Sequence, residues 1–224
     1  MLIEERNTQQ ITPDAIAALA VQLRGSLLQP GSAAYEEARA VYNAMIDRHP
    51  ALIVQPMDVA DVIAAVNFAR SAGVPLAVRG GGHSGPGLGT VDDGVVIDLR
   101  LMRGIHVDLA ARTVRVEGGA TWSDVDHATH PFELATPSGF ISSTGVGGLT
   151  LGGGIGYLAR TFGLTLDNLL GVDIVLADGR LVQANAAENP DLFWAVRGGG
   201  GNFGVVTSFL FRLHPVGTVY GGPM

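Results

Sequence analysis

Hydrophobic and polar positions follow two different periods in the first part of the chain. The helical period runs from Asp58, a suitable N-cap residue, to Gly73, a helix-ending glycine, and short apolar runs of strand length lie on either side of it. Residues 51–80 therefore predict a β-α-β unit. The elements predicted here are helices at 13–25, 32–47 and 57–73 and strands at 51–56 and 74–80.

The rest of the chain predicts closely spaced strands with few helices between them. The elements are strands at 94–99, 104–108 and 113–119, a helix at 121–130 capped by Thr121, a glycine-rich loop running into a helix at 145–163, a hairpin at 169–185, and a short helix followed by a long strand within 189–215. A parallel unit followed by antiparallel strands predicts an α+β fold of two layers or lobes rather than a doubly wound sheet.

Composition narrows the class of protein. Of the 224 residues, 47% are hydrophobic and 16% are charged, which indicates a well-filled globular chain. The formal net charge of −7 argues against a nucleic-acid partner or an anionic membrane partner. The chain has no cysteine and no lysine, which excludes disulfides, a lysine Schiff base and a P-loop. The acidic N-terminal segment and the lack of a long apolar run lead us to expect a cytoplasmic protein.

Glycine is concentrated in three segments, at 80–89, 145–156 and 198–204. Because glycine permits close backbone approach, the three segments are expected to converge on a common ligand. The first segment carries His83, which admits two interpretations. Residues 80–84 could form an anion-binding nest of backbone N–H groups, or His83 could be a loop histidine that hydrogen-bonds a carbonyl.

Two other kinds of site are weaker candidates. The sequences GGGHSG (80–85) and GGGNFG (199–204) match G-x-G-x-x-G, but neither opens a helix, as a dinucleotide fingerprint requires. His127, His130 and Asp124 would share one helix face, but a solvated polar face explains them better than a metal site, so no metal is expected.

Three long motifs carry a family resemblance: RGGGHS (79–84), the segment TPSGFISSTGVGGLTLGGGIGYLARTFGLTLDN (136–168), and WAVRGGGGNFGVVTSFLFRLHP (194–215). Together they resemble the FAD-binding (PCMH-type) domain of the vanillyl-alcohol oxidase superfamily, in its branch of berberine-bridge-enzyme-like proteins and 6-hydroxy-D-nicotine oxidase. The resemblance implies two flavin-binding subdomains with FAD between them. The expected division is an N-terminal helical segment at 1–44 and an FAD-binding domain at 45–218, with subdomains at about 45–110 and 111–218.

The resemblance also implies the contacts to FAD. Residues 79–84 would cradle the pyrophosphate, Val206 would meet the adenine through its main chain, and His83 would bond covalently to the flavin 8α-methyl group. The cofactor-binding residues implied in this way are Arg79, Gly80, Gly81, Gly82, His83, Ser84, Thr136, Pro137, Gly139, Ser143, Thr144, Gly147, Gly148, Gly152, Gly154, Gly156 and Val206.

The chain departs from the family pattern in two places. Ile141 stands where many relatives carry a second attachment cysteine, so at most one covalent bond is expected. Relatives continue into a substrate-binding domain that carries the catalytic base, whereas this chain stops at Met224, so we expect an isolated or truncated flavin domain.

The expected function is that of an FAD-dependent oxidoreductase acting on a small molecule. Hydride would pass from an alcohol, sugar or amine carbon to the flavin, with oxygen as the expected acceptor. Two alternatives stay open: a flavin-binding module without turnover, and a scaffold that binds no flavin.

Overall fold

The computed structural model describes residues 11–217 of the chain as two main sheets with helices packed on them. The helices are α1 (Pro13–Gln22), α2 (Tyr35–Arg39), α3 (Val59–Ala72), α4 (Trp122–Thr129), α5 (Val146–Leu151), α6 (Ala159–Phe162) and α7 (Pro190–Val196). The strands are β1 (Ser26–Leu28), β2 (Leu52–Gln55), β3 (Leu76–Arg79), β4 (Val95–Asp98), β5 (Ile105–Asp108), β6 (Thr113–Glu117), β7 (Leu134–Ala135), β8 (Leu169–Val175), β9 (Leu181–Asn185), β10 (Val205–Arg212) and β11 (His214–Pro215). Short 3₁₀ turns occupy Leu99–Leu101, His130–Phe132 and Thr165–Asn168.

The first sheet has the strand order β1-β2-β4-β3, in which β2, β4 and β3 are parallel and β1 is antiparallel to β2. The predicted β-α-β unit is confirmed, with β4 inserted between its two strands. As predicted, the Asp58 carboxylate caps α3 and Gly73 ends it with a left-handed φ of 65°. The buried residues Val62, Ala65 and Val66 of α3 belong to the apolar core of this lobe.

The second sheet is antiparallel throughout, with the strand order β5-β6-β10-β8-β9. Its core-facing residues form the second apolar core, which includes Phe209 and Phe211 from the central strand β10 and Trp122 from α4. A two-stranded ladder of β7 and β11 lies outside both main sheets. The parallel and antiparallel sheets together confirm the predicted α+β architecture of two lobes.

The region between α1 and β2 differs most from the prediction. The expected helix at 32–47 is wrong beyond α2, because residues 40–50 have neither helical nor strand structure and instead contact the glycine loop that follows β3. The helix expected at 13–25 ends at Gln22. It ends there because the N–H groups of Arg24 and Gly25 donate to the buried Asp61 carboxylate, after which the chain enters β1.

The glycine-rich segment 145–163 also differs from the prediction. We predicted a loop followed by one helix ending at Gly163, but α5 begins at once after Gly145, and a glycine loop then separates it from the single turn of α6. The second helix does end at Gly163, as predicted. The two glycines inside α5 lower its intrinsic helix propensity, and packing of its buried residues Val146 and Leu151 against the second core compensates.

Strand pairing bears on the predicted domain boundaries. The helical segment assigned to 1–44 contributes β1 to the first sheet, so it is part of that lobe rather than separate from it. The second sheet begins at Ile105, because β5 pairs with β6, whereas the expected boundary was about 110. Residues 1–10 and 218, which the predicted boundaries also include, lie outside the described residues.

Two further observations concern a membrane-spanning helix and the contacts of Asp124. Among residues 11–217, no helix combines the length and the apolar character that crossing a bilayer requires. Asp124, the carboxylate of the weaker metal candidate, accepts a hydrogen bond from the Thr121 N–H in a capping box and pairs with Arg103.

Candidate functional site

The first two glycine segments touch each other through their backbones. A β-carbon built on Gly81 would lie 2.7 Å from the Cα of Gly145 and closer still to its amide nitrogen. A β-carbon on Gly145 would in turn lie 2.8 Å from the Cα of Gly81. Only glycine on both sides permits this approach, so the loop after β3 and the start of α5 are held in direct contact.

The third glycine segment is tied to the second by hydrogen bonds. The N–H groups of Gly198 and Gly200 both donate to the carbonyl of Leu151, the last residue of α5, at 3.1 and 3.0 Å. The predicted convergence of the three segments is therefore present in the structure, with α5 between the other two.

The three segments enclose a cavity of about 520 Å³, which is within the range of about 300–1,000 Å³ typical of small-molecule sites. Ten of its eighteen lining residues are glycine, so its walls are largely backbone. None of the lining residues carries a carboxylate. The lining residues are Arg79, Gly80, Gly81, Gly82, His83, Ser84, Gly85, Pro86, Leu88, Gly89, Thr144, Gly145, Gly148, Leu149, Leu151, Gly152, Gly200 and Gly201.

A second cavity of about 60 Å³ shares part of its wall with the first. It contains the predicted residues Gly147 and Val206, and it is also lined by Leu99 of the first lobe and Phe209 of β10. The combined space therefore lies between the two lobes, at the carboxyl end of β3 where the first glycine segment begins.

Arg79 brings a buried positive charge to this space. Its side chain is only 7% exposed; Nη1 donates to the Ala38 carbonyl, and Nε is buried without a hydrogen-bond partner among the described residues. The neighbouring Asp98 carboxylate is held by Arg100 at 2.7 Å. Burial, together with the positive charge of Arg100, lowers the pKa of Arg79. A buried cation with an unused donor is suited to an anionic ligand.

The backbone next to Arg79 adds further donors. None of the N–H groups of residues 81–85 donates to another group among residues 11–217, and all five residues line the cavity. Successive backbone donors that lack a protein partner form an anion-binding concavity when they converge. The loop is therefore a candidate anion-binding site, and its role as a phosphate cradle stays a prediction.

His83 lies at the same cavity with contacts on two sides. The ring of Tyr42 stacks on the imidazole, with centroids 4.2 Å apart and an interplanar angle of 16°. The Ser143 hydroxyl lies 3.2 Å from Nε2 of His83. The loop histidine thus bonds a hydroxyl rather than a carbonyl.

The other predicted site residues divide into two groups. Arg79–Ser84, Thr144, Gly148 and Gly152 line the larger cavity. Thr136, Pro137, Gly139, Gly154 and Gly156 line neither cavity. The glycines among them serve close packing of loops: a β-carbon on Gly156 would lie 2.9 Å from the carbonyl carbon of Ser138, and one on Gly139 would collide with Leu149. Thr136 is buried, and its hydroxyl has no hydrogen-bond partner in the described part of the chain.

Sequence reasoning missed several residues of the site. Gly118 lines the smaller cavity, and a β-carbon on it would lie 2.5 Å from the Val206 carbonyl oxygen. The two glycines that follow β6 could have indicated this position. Gly200 and Gly201 lie in a segment that the sequence did mark as glycine-rich. Tyr42 has no local signal, because its role depends on contact with a loop that is distant in the sequence.

The sequence matches a family of FAD-binding domains and several FAD-linked oxidoreductases. The family described as "FAD binding domain" matches residues 50–185. An FAD-linked oxidoreductase of Dictyostelium discoideum is 43% identical over 201 residues, which cover 89% of this chain and 44% of the relative. The (R)-6-hydroxynicotine oxidase of Paenarthrobacter nicotinovorans is 36% identical over 197 residues, covering 88% of this chain and 43% of the relative. The chain thus spans less than half the length of these curated relatives.

Solved structures agree with the sequence comparison. 6-Hydroxy-D-nicotine oxidase from Arthrobacter nicotinovorans superposes with a TM-score of 0.85 at 37% identity, over 86% of this chain and 43% of that one. Glucooligosaccharide oxidase from Acremonium strictum, described with a 6-S-cysteinyl, 8α-N1-histidyl FAD, gives 0.83 at 35% identity, over 89% and 42%. The chain therefore belongs to the FAD-binding domain family, within the vanillyl-alcohol oxidase superfamily of FAD-linked oxidoreductases.

Proposed function

We propose that the chain binds FAD in the cavity between its two lobes, holds it covalently through His83, and acts as the flavin domain of an oxidoreductase. The observation that carries this proposal is the meeting of three glycine segments around one cavity lined by Arg79, which is buried and forms no salt bridge within residues 11–217. This arrangement suits an extended ligand with a doubly charged pyrophosphate, because the walls supply N–H donors and leave room for the ligand.

The residues present divide the binding of FAD between them. The N–H groups of residues 81–85 and the guanidinium of Arg79 would neutralise the pyrophosphate. Gly148 and Gly152 of the α5 region would let the ribityl and ring portions lie close to the backbone, and Val206 would contact the adenine in the smaller cavity. FAD supplies the chemistry when bound, since its isoalloxazine ring accepts a hydride.

His83 is the residue proposed to tether the flavin. It is the histidine that lines the cavity, and Ile141 together with the absence of cysteine excludes a cysteinyl bond. The glucooligosaccharide oxidase, which is described with a histidyl FAD, has a similar fold and supports the assignment. In the whole protein, hydride would come from an alcohol, sugar or amine carbon, with oxygen as the acceptor.

One observation favours a second candidate function. Among the described residues, the ionisable side chains that line the cavity are Arg79 and His83, the proposed phosphate ligand and the proposed tether. These lining residues therefore supply no further ionisable group for proton abstraction. A chain with this site alone would hold FAD without oxidising a substrate. Bleaching of the bound flavin by candidate alcohols, sugars or amines under anaerobic conditions would separate the oxidoreductase from this module.

Acid precipitation of the purified protein after incubation with FAD tests the covalent bond. We expect yellow colour to remain in the pellet of the wild-type protein and to move to the supernatant in His83→Ala. His106→Ala, which removes an exposed histidine from β5, is the matched control and should keep its colour in the pellet. A wild-type protein that stays colourless after FAD is added would refute both flavin hypotheses and favour a scaffold.

A further inference from the structure

The imidazole of His83 is held between two residues that come from distant parts of the chain. Ser143 Oγ lies 3.2 Å from Nε2, and the Tyr42 ring stacks on the imidazole with centroids 4.2 Å apart. Within residues 11–217, Nδ1 has no hydrogen-bond partner. One ring edge and one ring face are therefore occupied by protein, and the second nitrogen is left available.

The position of Ser143 is fixed by the backbone around it. A β-carbon on Gly81 would lie 3.3 Å from the carbonyl oxygen of Ser143, so the loop that carries His83 rests against the serine itself. On either side of Ser143, the N–H of Trp122 donates to the Thr144 carbonyl and the N–H of Ser123 donates to the Ser142 carbonyl. These contacts hold the Ser143 backbone beside the His83 loop, where its hydroxyl lies within hydrogen-bond distance of Nε2.

The position of Tyr42 is fixed by the irregular segment 40–48, which follows α2. The Tyr42 N–H donates to the Gly82 carbonyl at 3.1 Å, and the Asn43 side chain donates to the Gly85 carbonyl at 2.9 Å. Arg48 Nη1 donates to the Thr90 carbonyl at 2.7 Å. These bonds hold segment 40–48 against the loop that carries His83, so the Tyr42 backbone lies beside the imidazole on which its ring stacks.

We propose that Ser143 and Tyr42 are positioning residues for covalent attachment of the flavin. The Ser143 hydroxyl accepts a hydrogen bond from Nε2–H of His83, so that Nδ1 carries the lone pair that attacks the flavin. This inference rests on the proposed function. A neutral imidazole has one protonated nitrogen and one nucleophilic nitrogen, and the partner of the first decides which is which. Because Nε2 faces the serine, the free nitrogen is Nδ1. Tyr42 restricts rotation of the ring about its side-chain bonds.

The attachment step is balanced as follows. Nδ1 of His83 forms a bond to the 8α-methyl carbon of FAD, one C–H bond of that methyl group breaks, and its proton leaves to solvent. The two electrons of that C–H bond pass to the flavin ring and from there to dissolved oxygen, which becomes hydrogen peroxide. The imidazole is cationic once the new bond forms, so it then loses the Nε2 proton to solvent. Before this loss the Ser143 hydroxyl oxygen accepts a hydrogen bond from Nε2–H, and afterwards the hydroxyl can donate a hydrogen bond to Nε2.

The test separates the rate of attachment from the affinity for FAD. Wild-type protein prepared without flavin is mixed with increasing FAD, and acid-stable flavin is followed over time to give a limiting rate and a half-saturating concentration. We expect Ser143→Ala to lower the limiting rate about tenfold, with half-saturation changed less than about threefold, as for loss of one hydrogen bond. Ser143→Thr should restore the rate, and Ser142→Ala, which alters the adjacent exposed serine, should leave it unchanged.

A second measurement needs no flavin. The stacked tyrosine ring should shift the proton resonances of the His83 ring upfield in the flavin-free protein, in the wild type and in Tyr42→Phe, and the shift should vanish in Tyr42→Ala. In the attachment assay, Tyr42→Ala should be slower by about three- to tenfold, and Tyr42→Phe should match the wild type.

The outcomes distinguish the two proposals. Wild-type protein that takes up no acid-stable flavin would refute the proposed tether and, with it, the purpose of these contacts. If the wild type attaches flavin, wild-type rates in both Ser143→Ala and Tyr42→Ala would overturn the positioning role and leave the tether intact. A loss of FAD affinity without a loss of limiting rate would likewise overturn it, because that result indicates a binding role only.

Discussion

Gly148 offers a substitution whose effects on the free protein and on cofactor binding should have opposite signs. It lies within α5 and lines both cavities, and a β-carbon built on it meets no heavy atom within 4 Å. Alanine therefore fits the protein itself at this position. The added methyl group projects into space that the proposed function assigns to FAD.

The two magnitudes follow from different physical effects. Replacing a helical glycine by alanine stabilises the folded chain by about 0.5–1 kcal/mol, because alanine loses less backbone entropy on folding. In a protein of this size that corresponds to a rise in Tm of about 1–4 °C. On the cofactor side, an extra methyl group in a close contact costs about 1–3 kcal/mol. This weakens FAD binding by about fivefold to 150-fold.

The assay measures both effects on one variant. Thermal unfolding of the flavin-free protein gives Tm, and a fluorescence titration with FAD in the His83→Ala background gives a reversible Kd. Ser71→Ala on the exposed side of α3 is the control, since it raises helix propensity without approaching the cavity, and its Kd should match the background. Unchanged FAD affinity in Gly148→Ala would refute the placement of the flavin against α5.

Three further predictions concern the frame of the site. Gly145→Ala should destabilise the fold by about 1–3 kcal/mol, measured by urea unfolding, because its methyl group would displace Gly81. Asp61→Ala should cost about 3 kcal/mol in the same assay, because three backbone N–H groups lose a buried acceptor. Burial and the positive charge of Arg212 lower the pKa of His214 below its usual 6.5, so the folded protein favours the neutral imidazole. Stability is therefore lost as the pH falls below about 6.5, and over that range Tm should drop more in the wild type than in His214→Gln.

Local signals explain why much of the first lobe was predictable. Asp58 and Gly73 define the ends of α3 through capping groups that contact residues within four positions of themselves. The hairpin of β8 and β9 was likewise indicated by its Ala-Asp-Gly turn, where Gly179 has a φ of 86°. In these cases the residues that give the sequence signal are only a few positions from the residues that they contact.

Nonlocal contacts explain what was not predictable. Residues 40–50 have the composition of a helix, but their backbone and side-chain donors are used on carbonyls of the glycine loop some forty positions later. The insertion of β4 between β2 and β3 also depends on pairing that no local pattern encodes. Family motifs predicted residues that line the cavities, such as Arg79 and Gly148, and also residues that line neither cavity, such as Thr136. The contacts of Tyr42 and Ser143 with His83 join residues far apart in the sequence, so no local pattern indicates them.

The chemistry of the site also accounts for how a chain of net charge −7 with no lysine can bind a phosphate-rich cofactor. Among the described residues, the one guanidinium that lines the cavity is that of Arg79, which is buried with an unpartnered Nε. Its lowered pKa indicates that burial disfavours the charged form of the side chain when no ligand is bound. In the proposed site, a pyrophosphate would offset that cost by pairing with the guanidinium and the adjacent N–H groups. Binding and stability are therefore linked: if FAD occupies this cavity, Tm must rise with FAD concentration, and it must rise less once Arg79 is replaced by a neutral residue.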